Sequence, residues 1–280
     1  MLTAESEGGQ LKCHPYWSSK EYGPLKLKAL SEKKVSLETK RKRASSTTDH
    51  RDSGRRRAAT IADAPPNQHS PPAEAPHAVV RKFTLAHSSN PFAPMREITQ
   101  IHYSSWPDFG APADPAHLLG LVELSNSIQR ASAAPTESTR SDEPEHAENP
   151  RPVLVHCSAG CGRTGTFCTI DSVIDMLKRQ RKEIKSGVTP MEGMTTGDDY
   201  MGKGATDSAV AGDWVFSQDT DLVEKTVEEF REQRLSMVQS LRQYVLCYET
   251  VLEWISQQKL GTTATAKDRS VSERFERRNS

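Results

Sequence analysis

Apolar positions fall into short blocks separated by long polar stretches. In the first block, residues 1–27, Leu11, Cys13, Tyr16, Trp17 and Tyr22 sit among turn-forming residues, which predicts a strand and loop belonging to a core. From 28 to 78 large apolar residues almost vanish while Lys, Arg, Pro, Ala and Ser accumulate, so a disordered insertion is expected there. Alternation returns with Val80, Phe83 and Leu85, then Ile98, Ile101 and Tyr103, predicting two strands joined by a turn at Asn90-Pro91.

Leu118, Leu119, Val122 and Leu124 mark an amphipathic helix continuing through Ile128, followed by a second polar insertion over 131–150. Val153-Leu154-Val155 is short, continuously apolar and β-branched, the pattern of a buried central strand. Phe167, Ile170, Val173, Ile174 and Leu177 then line one face of a helix. A third insertion is expected over 185–219. Val223, Val227 and Phe230 suggest another helix. Val238, Leu241, Tyr244, Val245, Tyr248, Val251 and Leu252 suggest a longer one that closes the core, and a polar, frayed tail is expected over 259–280.

Composition supports an interrupted core. Only 35% of the 280 residues are apolar, and the mean hydropathy is −0.68, too polar for one unbroken globule. Lys and Arg balance Asp and Glu at 37 each, so no whole-molecule attraction to nucleic acid or membrane is indicated. No apolar run is long enough to span a bilayer, and the opening residues lack the basic-then-apolar order of a signal peptide. Five cysteines without repeated spacing argue against a disulfide framework, and Cys157 with Cys161 lacks the second pair a zinc site would need. The expectation is a soluble protein of a reducing compartment, cytoplasmic or nuclear. The nuclear option rests on Lys40-Arg41-Lys42-Arg43 and Arg55-Arg56-Arg57, which as a solvated linker would carry no signal.

The densest chemistry lies in His156-Cys157-Ser158-Ala159-Gly160-Cys161-Gly162-Arg163-Thr164-Gly165. Gly160 and Gly162 allow the backbone between Cys157 and Arg163 to curl with its N–H groups inward, making a cradle for a tetrahedral oxyanion. The following helix N-terminus adds its partial positive charge. A thiol in that field ionises below its ordinary pKa of about 8.5, so Cys157 is expected to be a thiolate nucleophile. Arg163 offers a planar fork for two phosphoryl oxygens, and the Thr164 hydroxyl can donate to the sulfur as it leaves. The bland alternative is a glycine-rich strand-to-helix turn beside an inert buried cysteine. Expelling a phenolic oxygen also needs a proton donor, and Asp108 in Trp106-Pro107-Asp108 is the candidate, although such a tripeptide is commonly a plain turn.

HCSAGCGRTG (156–165), WPDFGAP (106–112), LKCHPYW (11–17) and QSLRQY (239–244) resemble, in order, motifs of the phosphotyrosine-specific, non-receptor type protein tyrosine phosphatases. The matching segments, 1–27, 79–125, 150–184 and 214–258, make up just over half the chain, and the long insertions and the wording ESEGGQLKCHPYW are most similar to fungal members. The resemblance implies an α/β fold, a twisted mixed sheet flanked by helices, and a partial catalytic domain over 1–258. It implies that Cys157 forms a phosphocysteine, with Asp108 as acid and then base, no metal or organic cofactor, and phosphotyrosyl proteins as substrates, a MAP kinase among them. Residues 158–163 then bind the phosphoryl group and Gln239 orients the attacking water, with Gln243 beside it. Glu7 holds Arg163, Lys12 lies near the acid loop, Trp106 belongs to that loop and His156 tunes the thiolate. Seen alone, Gln239 and Gln243 belong to a solvated helix face, Glu7 and Lys12 are exposed charges, and His156 is a satisfied polar residue.

The chain lacks the family's Lys-Asn-Arg-Tyr and Thr-Gln-Gly-Pro segments, so the resemblance implies a domain that begins in its middle. Two alternatives therefore stay open: a phosphotyrosine-binding or scaffold fragment without turnover, and a dual-specificity phosphatase. A small packed side chain is the plain reading of Cys161, and an oxidation partner for Cys157 the other.

Overall fold

The computed structural model describes residues 1–18, 20–38, 75–112, 114–132, 141–145, 151–186, 213–217 and 219–276. Two short strands, β1 (Ser6–Glu7) and β2 (Gln10–Leu11), form a hairpin, and β3 (Glu21–Tyr22), β4 (Leu25–Ser36), β5 (His77–His87) and β6 (Arg96–His102) form an antiparallel sheet in that order. The helices are α1 (Pro115–Ser132), α2 (Gly162–Ser186), α3 (Leu222–Gln233) and α4 (Leu241–Glu276), with a 3₁₀ turn at Asp213–Phe216. No helix among the described residues is long and apolar enough to cross a membrane.

The two expected strands of residues 79–103 are β5 and β6, paired from Val79 opposite His102 to Leu85 opposite Arg96. Ala78, Val80 and Phe83 are buried, and Ala78 joins the helical core. The expected insertion from residue 28 is overturned at both ends: residues 28–36 lie in β4 and 77–78 in β5, paired from Leu25 opposite His87 to Ser36 opposite His77. Leu25, Leu27 and Ala29 alternate with lysines at strand period, and Leu30 is the extra residue of a bulge between Ala29 and Ser31. The charges that made this segment read as a linker face water, and Glu32 pairs across the strands with Arg81 at 2.6 Å. Residues 39–74, with both basic clusters, lie outside the described residues.

The other two insertions are corrected in part. Residues 131–132 end α1, and Glu145 is pinned between helices, where it pairs with Arg130 and its carbonyl accepts from Arg179 at 2.7 Å. Residues 185–186 end α2, and Val215 in the 3₁₀ turn is buried. The remainder of 133–150 and 187–212 lies outside the described residues. In place of a frayed tail from 259, α4 runs to Glu276; its Gly261 and threonines lowered the apparent helix propensity, yet no proline interrupts it.

The apolar faces expected on the helices meet in one core that joins Phe167, Ile170, Val173 and Ile174 of α2 with Leu118 and Val122 of α1, Leu246 and Trp254 of α4, and Ala78 of the sheet. Asp221 caps α3, accepting from the Val223 and Glu224 N–H groups at 2.9 and 3.0 Å, an arrangement worth about 1 kcal/mol. Its other oxygen accepts from the Tyr248 hydroxyl at 2.9 Å, which ties α3 to α4.

The expected buried strand at Val153–Val155 is not one. Val153 is 49% and Leu154 86% exposed, and the segment has no strand assignment. An apolar run becomes a central strand only when neighbours cover both edges and both faces. Here Met1–Thr3 lines one edge: Leu2 N–H donates to the His156 carbonyl at 2.8 Å, while Tyr103 N–H donates to the Met1 carbonyl at 2.9 Å. That stitch still links β6 to His156 and Cys157, so the segment delivers both residues to the loop before α2.

Candidate active site

Residues 158–161 turn the chain from Cys157 into the first turn of α2. Gly160 sits at φ 71°, left-handed backbone that a side chain would strain. Burial of Cys157 would by itself push its thiol up. The Thr164 hydroxyl and the backbone N–H groups of Thr164, Cys161 and Gly160 act the other way and prevail, holding the thiol below its ordinary value. Among the described residues the Thr164 hydroxyl has no hydrogen bond of standard geometry to any group, so it acts on the Cys157 thiol as a nearby donor outside that geometry. The contrast with the remaining core is sharp: burial without such donors pushes Cys168 up to about 11 and Cys247 to about 12.

Arg163 is 1% exposed. Its Nη1 donates to Glu7 Oε1 at 2.6 Å and to the Trp106 carbonyl at 2.8 Å. Its Nε and Nη2 are buried without a hydrogen-bond partner among the described residues. Nη2 does come within 3.2 Å of Asp108 Oδ1, but as an ion pair out of hydrogen-bond alignment. A buried guanidinium with two unsatisfied nitrogens is costly unless an anion completes it. The edge of Arg163 that carries Nε and Nη2, occupied only by the Asp108 ion pair, is therefore a candidate anion site at the end of the loop that starts at Cys157.

Two segments distant in sequence, the one with Glu7 and the loop 106–108, converge on that arginine. Glu7, the last residue of β1, spends Oε1 on Arg163 and accepts from the Asp108 N–H through Oε2 at 3.2 Å. Its carboxyl, which burial alone would raise, is held below its usual range by Arg163. Lys12 Nζ donates to Asp108 Oδ2 at 3.0 Å. Burial would raise the Asp108 carboxyl too, but Lys12 and Arg163 outweigh it and keep it low. Trp106 is fully buried and its indole N–H donates to the Gly110 carbonyl at 3.0 Å, closing the loop that carries Asp108. Glu7 and Lys12 are thus partnered, not the exposed charges their sequence context suggested.

The start of α4 approaches the cradle from the other side. A Cβ on Gly162 would lie 2.9 Å from Gln239 Oε1 and 2.8 Å from Gln243 Oε1, so only glycine lets both glutamines come this close. Gln239 is exposed at the cradle. Gln243 is 1% exposed, against the solvated face expected of it. Its Oε1 accepts from the Gln239 and Ser240 N–H groups at 3.1 and 3.3 Å, and its own N–H donates to Ser240 Oγ at 3.2 Å. This reciprocal pair is a capping box, and it explains the burial.

His156 Nδ1 faces the Cys157 carbonyl at 3.2 Å, so that nitrogen carries the proton, and Nε2 accepts from the Tyr16 hydroxyl at 2.8 Å. Burial pushes its pKa down. Ser158 and Ala159 are exposed at the cradle mouth, and Cys161 lies half-buried with its thiol on the Ala159 carbonyl at 3.4 Å.

The structure brings every predicted site residue to one locus and adds several the sequence did not flag. Arg234 donates to the Gly160 carbonyl at 3.0 Å, bracing the outside of the cradle. Gln100 donates to Tyr16, which supports His156. Ser240 bonds the Phe109 carbonyl at 2.9 Å. Only Ser240 carried a local signal, the Ser-x-x-Gln spacing of a capping box.

The family model described as protein-tyrosine phosphatase matches residues 67–193 and 210–253, more than half of the chain. The tyrosine-protein phosphatase corkscrew of Drosophila virilis is 26% identical over 276 residues, 97% of this chain and 24% of that protein. Tyrosine-protein phosphatase 3 of Saccharomyces cerevisiae is 30% identical over 182 residues, 62% of this chain and 15% of that protein. A solved structure of PTPN18, from work on distinct HER2 tyrosine phosphorylation sites, matches with a TM-score of 0.49 at 22% identity, covering 90% of this chain and 58% of that one. The chain thus spans a quarter or less of the length of these curated relatives.

Proposed function

The chain belongs to the protein-tyrosine phosphatase family, and from that premise we propose that it hydrolyses phosphotyrosine in proteins through a phosphocysteine intermediate. The observation that carries the proposal is the buried Arg163, with Nε unpartnered and Nη2 held only by an ion pair to Asp108 out of hydrogen-bond alignment, together with a Cys157 thiol held below its ordinary pKa. The phosphoryl oxygens complete those two nitrogens and the N–H groups of the cradle. The Cys157 thiolate attacks phosphorus, the bond to the tyrosyl oxygen breaks, and Asp108 gives that oxygen its proton. Water, oriented by Gln239, then attacks the phosphocysteine while Asp108 takes its proton, and the thiolate leaves with Thr164 as its donor.

Glu7 and Trp106 hold Arg163 from behind in this scheme, Lys12 holds Asp108, and Gln243 fixes the loop of Gln239. His156, neutral and oriented by Tyr16, keeps the Cys157 carbonyl in place. Substrate identity beyond phosphotyrosyl protein is a separate proposal; a MAP kinase is the candidate, tested with its phosphorylated activation-loop peptide. The domain organisation is proposed as one catalytic unit over 1–258 in which β4 and β5 replace the two ends of the first insertion.

Hydrolysis of a phosphotyrosyl peptide is the test, with Cys157→Ser and Asp108→Ala as controls. Turnover that both substitutions abolish or sharply reduce supports the enzyme. A folded chain that binds the peptide but releases no phosphate refutes it and leaves a binding module.

A further inference from the structure

One side chain joins the loop of Asp108 to the loop of Gln239. The Ser240 hydroxyl donates to the Phe109 carbonyl at 2.9 Å and accepts from the Gln243 N–H at 3.2 Å, so both its roles are used. Two non-glycine residues among those described have positive φ, Phe109 at 55° and Val238 at 59°, and they flank this connection, one beside each loop. Left-handed backbone is unfavourable for an aromatic residue and more so for a β-branched one, and it persists only where surroundings hold it.

Val238 is held twice. Its N–H donates to the Cys161 carbonyl at 3.3 Å and its own carbonyl accepts from Arg231 at 2.9 Å. Phe109 has no comparable packing: its side chain is 57% exposed, and its carbonyl is fixed by Ser240. The Gln243 amide that completes the cap also accepts from the Gln239 N–H at 3.1 Å.

We infer that Ser240 is a positioning residue that registers the proton donor Asp108 against the water-orienting Gln239, coupling the acid loop to the capped start of α4. The inference rests on the phosphatase reading for its chemical consequence, but not for its structural one. Without the hydroxyl donor the Phe109 carbonyl is released, its left-handed backbone relaxes, and Asp108 spends less time in reach of the leaving oxygen. Steps that need the acid suffer most.

Glycine is tolerated at a helix N-cap but donates no side-chain proton, whereas threonine keeps both functions, so Ser240→Gly and Ser240→Thr separate the latch from the cap. Amide exchange over residues 107–112 is measured beside kcat/KM for a phosphotyrosyl peptide and for an aryl phosphate whose phenol is strongly acidic. In Ser240→Gly, exchange is expected to rise and peptide kcat/KM to fall, each about tenfold, as loss of one hydrogen bond implies. The acidic leaving group is expected to fall less than about threefold, since it needs little proton donation, and Ser240→Thr restores both readouts. Unchanged exchange overturns the inference, as does an equal fall on both substrates. If wild-type protein turns over neither substrate, the phosphatase reading fails, while the exchange comparison still decides the latch. Should Ser240→Gly not fold, Ser240→Cys, a weaker donor of similar size, takes its place with the same outcomes.

Discussion

Glu7→Gln tests the support of Arg163 with the least change of shape. Glutamine keeps one oxygen that can accept from Arg163 Nη1, now at 2.6 Å from Glu7 Oε1, but removes the charge and replaces the second oxygen by an amide. A hydrogen bond to a charged acceptor contributes roughly 1.5–3 kcal/mol against about 1 kcal/mol for a neutral one, so about 1 kcal/mol is lost there. The amide then opposes the Asp108 N–H, which Oε2 accepts at 3.2 Å, and donor facing donor costs about 1 kcal/mol more. Flipping the amide only moves that conflict onto Arg163. The sum, about 2 kcal/mol, corresponds to about 30-fold in kcat/KM if it is felt in the transition state.

Steady-state turnover of a phosphotyrosyl peptide and urea unfolding read the two sides of this change. The sign with pH follows from the lowered Glu7 carboxyl. A carboxylate depressed in the folded state stabilises fully above its unfolded pKa of about 4.3, and the contribution is lost as pH falls through the folded value. The stability gap between wild type and Glu7→Gln should therefore be constant above about pH 5 and shrink below about pH 4. A variant within threefold of wild-type kcat/KM and with the same urea midpoint would refute the reasoning, because Arg163 would then be held by Trp106 and packing alone.

Alkylation should separate the cysteines by their environments: near pH 6.5, iodoacetamide is expected to label Cys157 while Cys168 and Cys247, pushed up to about 11 and about 12, stay unlabelled in folded protein, with peptide mass mapping as the readout. Thr164→Val removes a donor to the sulfur, so the pH midpoint of that labelling should move upward. Lys12→Met removes the partner that holds the Asp108 carboxyl low. The descending, high-pH limb of kcat/KM, which requires protonated Asp108, is therefore expected to shift upward, and a limb that stays put would count against Asp108 as the acid.

The helices and the cradle were legible because their signals are local. The spacing of Phe167, Ile170, Val173 and Ile174 states one helical face, and Cys157 through Gly165 places the proposed nucleophile, turn and helix start within ten residues. β4 was hidden because its lysines and Glu32 face water in a strand that gains its stability from pairing with β5, a property of the partner and not of the segment. The reverse error came at Val153–Val155, whose apolar run states a preference for burial that only neighbouring chain can satisfy. Glu7 and Lys12 came from resemblance alone, since nothing local distinguishes them from surface charges. Ser240 escaped because its bond to Phe109 crosses 131 residues of sequence.

The low carboxyl of Asp108 conflicts at first sight with a proton-donating role. Its causes resolve the conflict, because two cations hold it down: Lys12 at 3.0 Å and the Arg163 Nη2 at 3.2 Å. The second is the same nitrogen that lacks a hydrogen-bond partner. When a phosphoryl dianion takes that nitrogen, the positive charge nearest Asp108 Oδ1 is neutralised and two negative charges arrive beside it. Both changes favour the protonated carboxyl. In the proposed reaction Asp108 is thus a counter-ion while the cradle is empty and becomes the acid when substrate replaces it, which would couple the appearance of the proton donor to the presence of the group that needs it. In that scheme Glu7, which accepts from Nη1 and not from the edge that changes partner, would keep Arg163 aligned during the exchange.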